Sequence, residues 1–208
     1  MSAKDGGLGE ARDASGLAAL ISRAAHAGDR LPPVETWNPP DCGAIPMRIR
    51  SDGTWFYEGT PIGRAPLVRL FSTVLRREAD GRHVLVTPVE MVTIEVEDAP
   101  FIAVEMDLSG SSSDRAITFR TNVGDVVEAG PDHPMRFTDA AEELKPYVRV
   151  RGSADRPLEA LIARPVMYEL VEHGEEIEID GKLMFALRSR GEVFPIMPAA
   201  ELDRLSRE

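Results

Sequence analysis

Between residues 92 and 162 the sequence breaks into seven short runs rich in β-branched and apolar residues, separated by turn residues. The runs are VTIEVED (92–98), FIAVEMDL (101–108), AITFRTN (116–122), DVVEA (125–129), MRFT (135–138), YVRVR (147–151) and LEALI (158–162). VTIEVED alternates strictly, which places every second side chain on one face of a pleated strand. Asp98-Ala99-Pro100 and the SGSSSD stretch punctuate the series as turns. A chain built this way is expected to form a long strand meander whose apolar face needs a cover.

The flanks supply helices. Residues 1–14 are glycine, alanine and charge without periodicity and read as a disordered tail. Ser15 can cap a short helix through Ala27, with Leu17, Leu20, Ile21 and Ala24 on one face. The proline-rich LPPVETWNPPDCG (31–43) reads as an extended strap anchored by Trp37. MRIR (47–50) and TWFYEG (54–59) form a hairpin about Ser51-Asp52-Gly53. Leu67, Leu70, Phe71, Val74 and Leu75 follow helical spacing over 65–77, and HVLVTPVE (83–90) is the next strand. After the meander comes a helix with Pro165 in its first turn, then a hairpin over 176–188 turning at Asp180-Gly181, then a short helix from residue 197. The expected fold class is α+β, with an N-terminal domain over 15–88 and a C-terminal domain over 89–208.

Two stretches echo each other. Superposing 46–96 on 146–196 without a gap aligns Pro46 with Pro146, Ile62 with Ile162, Arg64 with Arg164, Leu70 with Leu170, and Glu78, Asp80 and Gly81 with Glu178, Asp180 and Gly181. The predicted element order coincides as well: strand, strand, arginine, helix, Asp-Gly turn, strand. This reads as two related strand–helix units. Each arginine sits where a strand gives way to a helix, where its fork of donors can reach strand-end carbonyls and neighbouring carboxylates. A shared architectural role explains the repeat, with a ligand role as the alternative.

DGTWFYEGTPIGRAPLVRLF, LVTPVE, IEVEDAPF, FRTNVGD, YVRVRG, LEALIARPVMYELVE and GEVFPI together resemble an uncharacterised bacterial family, domain of unknown function 1285. They span most of the chain from Trp37 to Ile196. The resemblance implies a duplicated α+β architecture whose second half is loosely similar to pleckstrin-homology-like domains. It implies a cleft between the halves that takes a protein or nucleic-acid partner, in signalling. It brings no catalytic motif.

Composition narrows the function classes. Net charge is −11 over 208 residues, so phosphate backbones and anionic lipid surfaces are repelled overall. A single cysteine, Cys42, excludes an internal disulfide and any multi-cysteine zinc site. The start of the chain carries no apolar signal core, and no run of about 18 apolar residues occurs. The expectation is a cytoplasmic protein that does not enter membranes. None of G-x-S-x-G, H-E-x-x-H, a P-loop or a calcium loop is present. His26, His83, His133 and His173 are scattered over different elements, so nothing in their spacing makes a metal site, and no cofactor is expected.

Three features remain as candidate sites. Glu95 and Glu97 share one strand face and Glu105 and Asp107 another, which is either a solvated sheet face or an acid pair or metal site. Trp55 and Tyr57 share the face opposite Phe56; they are either an exposed aromatic shelf or core packed on Trp37. Residues 46–83 hold seven arginines against four acids, whereas 84–145 hold thirteen acids against four basic residues. The first half can therefore attract the second, or an acidic partner.

The favoured reading is a noncatalytic, regulatory or signalling binding module. A protein partner would dock in the groove between the halves, lined by Trp55, Tyr57, Arg64, Arg69, Arg120, Thr121 and Asn122. One alternative is nucleotide or nucleic-acid binding through the arginine-rich first half, where stacking aromatics and arginine suit single strands. The other is a metal-assisted hydrolase using the strand carboxylates.

Overall fold

A computed structural model describes residues 31–111, 114–140 and 143–205. The tail over 1–14 and the helix expected over 15–27 lie outside them. The molecule is mostly β. Fifteen strands fall into three sheets, against three short α-helices among the described residues. The α+β expectation is thereby corrected: the helices are covers of two turns or so, and the sheets carry the architecture.

The first sheet contains β1 (Asp41–Ile49), β2 (Trp55–Tyr57), β3 (Thr60–Pro61), β4 (Leu75–Arg77), β5 (His83–Val86) and β6 (Met91–Val96) in the order β3-β2-β1-β6-β5-β4. β1 and β6 run parallel; the other neighbours are antiparallel. The strap is shorter than expected, because the chain after Pro40 enters β1 directly. Pro46 lies in this central strand where the register with β6 shifts, between Ala44 and Arg48, and its amide edge faces the end of β2, just beyond the paired residues. Its carbonyl still accepts from the Glu58 N–H at 2.8 Å.

Helix α1 (Ala65–Thr73) connects the two three-stranded halves of this sheet. Pro66 in its first turn presets the helical φ. The expected extension to Arg77 fails, because Leu75 to Arg77 pair instead with β5. Ser72 and Thr73 bond back to the carbonyls of Arg69 and Leu70, a habit that weakens a helix end.

The second sheet contains β7 (Phe101–Ser109), β8 (Ala116–Thr121), β9 (Val126–Glu128), β10 (Met135–Ala140), β11 (Glu143–Arg151) and β12 (Leu158–Ile162). Its order is β9-β8-β7-β12-β11-β10, with β7 and β12 parallel. The predicted seven-strand meander is corrected on two counts. Its first run is β6 and belongs to the first sheet, beyond the division expected at residue 88. The other six form two antiparallel triplets joined by a parallel pair.

Helix α2 (Arg164–Val171), a third sheet of β13 (Glu175–Ile179), β14 (Lys182–Ser189) and β15 (Glu192–Pro198), and helix α3 (Ala199–Leu205) complete the chain. The element order does recur across the two aligned stretches, helix for helix. The sheets do not follow it, since β13–β15 stand as a sheet of their own. The strand order repeats in a different frame, from β1–β6 to β7–β12, about sixty residues apart. The picture of two equivalent strand–helix units with a pleckstrin-like meander is replaced by two six-stranded sheets of one topology.

One apolar core spans both sheets. It joins Trp55, Phe71 and Leu85 of the first half to Phe101, Phe119 and Val148 of the second and to Leu187 and Phe194 of the third sheet. Polar bridges fix the seams. Arg76 is 5% exposed; its Nη1 donates to the carbonyls of Val34 and Trp37 at 2.8 and 2.7 Å, and its Nε to Glu78 at 2.6 Å. The strap is thus held by its own carbonyls as well as by half-buried Trp37. Ser189 Oγ accepts from the Ile117 N–H and donates to the Ala129 carbonyl, tying the third sheet to the second.

Candidate functional site

A groove of about 560 Å³ opens where the two sheets meet. The first half contributes the 53–55 turn, Ile62 and Gly63, and the first turns of α1 through Arg69; the second contributes Arg120 and the 122–124 turn. Local chemistry builds both turns. In the first, Asp52 Oδ1 accepts from the Thr54 N–H at 2.9 Å, and Gly53 takes φ +80°. In the second, Thr121 Oγ1 accepts from the Asp125 N–H at 3.0 Å.

Gly53 permits the two turns to touch. A Cβ there would lie 2.7 Å from Asn122 Nδ2 and 2.7 Å from Ile102 Cγ1. Asn122 is the stitch: its Oδ1 accepts from the Ile102 N–H at 3.0 Å, and its Nδ2 donates to the Gly53 carbonyl at 3.4 Å. Gly124 leaves room for Arg69, whose Nη1 would be 3.1 Å from a Cβ at that position.

The floor is apolar, from Ile62, Val68, Val123 and Trp55. Trp55 is 1% exposed, stacks on Phe71 at 6.2 Å, and its Nε1 has no hydrogen-bond partner among the described residues. The rim carries two guanidinium groups in different states. Arg120 is taken by a bidentate pair with Glu105, which holds the Glu105 carboxyl below its ordinary range. Arg69 is exposed, and its guanidinium has no hydrogen bond or ion pair among the described residues.

A second hollow, about 620 Å³, lies on the outer face of the first sheet, but its ionic groups cancel. Arg48 pairs with Glu95 at 3.0 Å and Glu97 at 3.5 Å, while Glu97 also accepts from the Ser51 N–H at 3.0 Å.

Residues 32–99 match the N-terminal domain, and residues 100–196 the C-terminal domain, of the domain of unknown function DUF1285. The chain belongs to the DUF1285 family. A crystal structure of a DUF1285 family protein from Silicibacter pomeroyi DSS-3 is similar at 45% identity with a TM-score of 0.82, covering 94% of this chain and all of that one. A DUF1285 family protein from Shewanella baltica OS155 is similar at 27% identity with a TM-score of 0.49, over 62% of this chain and 91% of that one. No curated protein matches.

On this DUF1285 scaffold, the groove gathers Trp55, Arg69, Arg120 and Asn122 of the seven residues singled out from sequence. Tyr57 is half-buried against the core, away from the groove lining. Thr121 is fully buried and serves the turn. Arg64 is the N-cap residue of α1, exposed, with no side-chain cap bond. Arg164 opens α2 and donates to the Tyr168 hydroxyl at 2.8 Å. Both arginines sit at helix starts, as the echo implied.

The exposed-shelf reading of Trp55 and Tyr57 is corrected: Trp55 is core, and its stacking partner is Phe71 rather than Trp37. Phe56 faces the other way, with the Arg50 guanidinium 5.7 Å above its ring. The carboxylate rows do not converge. Glu95 and Glu97 are on the first sheet and Glu105 on the second, each engaged by arginine, while Asp107 stands opposite Thr118. Among the described residues no three His, Cys, Asp or Glu side chains are grouped to hold an ion. Cys42 is exposed on β1. No helix of the described residues is long and apolar enough to cross a membrane.

Sequence reasoning missed Gly53, Ile62, Val68, Val123 and Gly124. Their only local signal is turn glycine, and the groove exists because two turns 70 residues apart in sequence are brought together.

Proposed function

We propose that this DUF1285 protein is a noncatalytic binding module that docks a protein partner in the groove between its halves. The observation that carries the reading is the pairing of an apolar floor with the unengaged guanidinium of Arg69 at the rim. An apolar strip flanked by one available cation suits an extended protein segment with an acidic residue beside an apolar one. Nucleic acid is disfavoured there: the aromatic beside the groove is buried, so no stacking platform is offered, and the net charge is −11. A regulatory role follows from binding without a convergent catalytic group.

The test is affinity capture from cells of the source organism with three folded proteins: wild type, Arg69→Glu, and Lys182→Glu on the distant hairpin as a charge control. The expected result is a specific protein recovered by wild type and Lys182→Glu and lost with Arg69→Glu. Equal recovery by all three overturns the groove as the docking site. Trp55→Ala is unsuitable here, because it removes core.

A further inference from the structure

A separate hollow of about 430 Å³ lies at another point of the seam, lined by Arg77 of β4, Arg136 of β10, Arg149 of β11 and Glu159 of β12, among Pro134, Met135, Ala154 and Pro157. Three guanidinium groups thus face one space with one carboxylate. Arg136 accounts for that carboxylate, donating Nε and Nη2 to Glu159 at 2.6 Å each, with its plane 4.1 Å from the Tyr147 ring centroid. Arg149 spends Nε and Nη2 on the main-chain carbonyl of Asp132, at 2.9 and 2.7 Å. Carbonyls satisfy its donors without neutralising its charge.

Arg77 is the telling residue. It is half-buried, yet its guanidinium has no hydrogen bond or ion pair among the described residues. A cation taken partly out of water without a partner costs free energy, and Arg149, with Glu159 opposite it on β12 already engaged by Arg136, adds further positive charge to the same hollow. The neighbouring charges do not relieve it. His83, opposite Arg77 on β5, is held neutral by burial and by Arg77 itself. Glu35 and Asp155 pair with Arg156, and Asp98 with Lys145. Glu78 and Asp80 pair with Arg76 and Arg82, so the lining keeps an excess of positive charge, three guanidinium groups to one carboxylate.

We propose that this hollow is a binding site for a small phosphate-bearing molecule, with Arg77 and Arg149 supplying charge and the free fork of Arg77 grasping the oxyanion. Guanidinium forks match phosphate oxygens in pairs. The volume is that of a small-molecule site, and the apolar walls of Pro134, Met135 and Pro157 suit the body of such a ligand. The site is distinct from the groove and does not depend on the docking proposal.

Isothermal titration and thermal shift with inorganic phosphate and pyrophosphate test it, on wild type, Arg77→Met and Arg77→Lys. The expected result is saturable binding to wild type, weakened about tenfold or more by Arg77→Met, which removes a charged hydrogen-bond donor. Arg77→Met should fold normally, because Arg77 gives up no partner, and its ligand-free melting temperature should equal or exceed that of wild type. If it does not fold, Arg77→Lys serves: charge is kept and the fork is lost, so binding still weakens. No saturable binding up to about 10 mM pyrophosphate would overturn the proposal. So would equal binding by the variants, or a preference for succinate over phosphate and pyrophosphate alike.

Discussion

The two six-stranded sheets share a strand order but not a cover. In the first, β3 reaches β4 through α1, which lays Phe71 and Val74 into the core. In the second, β9 reaches β10 through a short loop over 129–134, and apolar cover comes from further along the chain, from Val166 and Leu170 of α2 and from Phe185, Leu187, Phe194 and Ile196 of the third sheet. The shared order leaves each sheet one apolar face to bury, and it does not dictate what buries it. The consequence is local. Where the helix of the first half begins, its first turn and the turn after β8 face one another across a gap, and the groove is that gap. The equivalent connection in the second half, the loop over 129–134, has no helix to form such a gap.

The sharpest way to break this comparison is to ask whether the halves are independent. Trp55 on β2 and Phe119 on β8 occupy corresponding strands, and both are buried in the same core. Trp55→Ala and Phe119→Ala should each cost about 3–5 kcal/mol, the usual penalty for emptying a large aromatic site. Each should lower one cooperative transition in chemical denaturation followed by far-ultraviolet circular dichroism. Two resolved transitions, with each variant shifting only its own, would show that the halves fold separately and that the common core is not energetically common.

The seam itself can be tested next. Arg151 on β11 of the second half reaches across to the C-terminal end of α1, where Nη1 donates to the Ser72 carbonyl at 2.8 Å. A cation there complements the partial negative charge of the helix end. Nη2 pairs with Asp125 at 2.6 Å, and the guanidinium lies 4.9 Å from the Phe101 ring centroid. Arg151→Met should cost about 3 kcal/mol, because it strands Asp125 and the α1 carbonyl in a mostly buried setting. Arg156→Met, which breaks an exposed pair with Glu35 across the same seam, should cost under about 1 kcal/mol. Equal losses would mean that burial is not what gives Arg151 its weight.

Much of this fold was legible residue by residue, and the illegible part has a common cause. Alternation exposed the strands, Ser51-Asp52-Gly53 the first hairpin, the spacing from Leu67 the first described helix and Pro165 the start of the second, because each of these is decided by neighbours in sequence. The parallel pairs β1–β6 and β7–β12 were not legible, since the partners are roughly fifty to sixty residues apart and no local pattern records the pairing. Arg76 shows the same limit. In LRRE it looks like one more surface cation, yet it is buried because strap carbonyls arriving from residues 34 and 37 need donors. Trp55 was placed on the correct strand with its face left open between shelf and core; it is core, and it also lines the groove. Arg69, Arg120 and Asn122, read from the sequence as facing the space between the halves, do line the groove. Val68 and Val123 were missed because an apolar residue in a groove floor looks like any apolar residue.

The smallest contrast between the sheets concerns acid. His83 of the first sheet is pushed down from an ordinary 6.5 to about 4, by burial first and by Arg77 second. Asp98, in the link to the second sheet, is pushed up by burial but more strongly down by Lys145 and Tyr147, and ends below its ordinary 3.8. The two groups lose stability in different windows. For His83, the unfolded chain takes up a proton near pH 6.5 that the folded chain resists until about 4, so stability is full above 6.5 and declines as pH falls through that interval. For Asp98, the loss begins only as pH falls below 3.8. His83→Gln should therefore flatten the denaturation midpoint between pH 6.5 and 4, sparing about 2 kcal/mol of the wild-type decline, while leaving the steeper loss at lower pH in place. A wild-type profile that is flat across that interval, or a variant that declines in parallel with it, would place the acid sensitivity elsewhere in the molecule and remove His83 as what distinguishes the first sheet from the second.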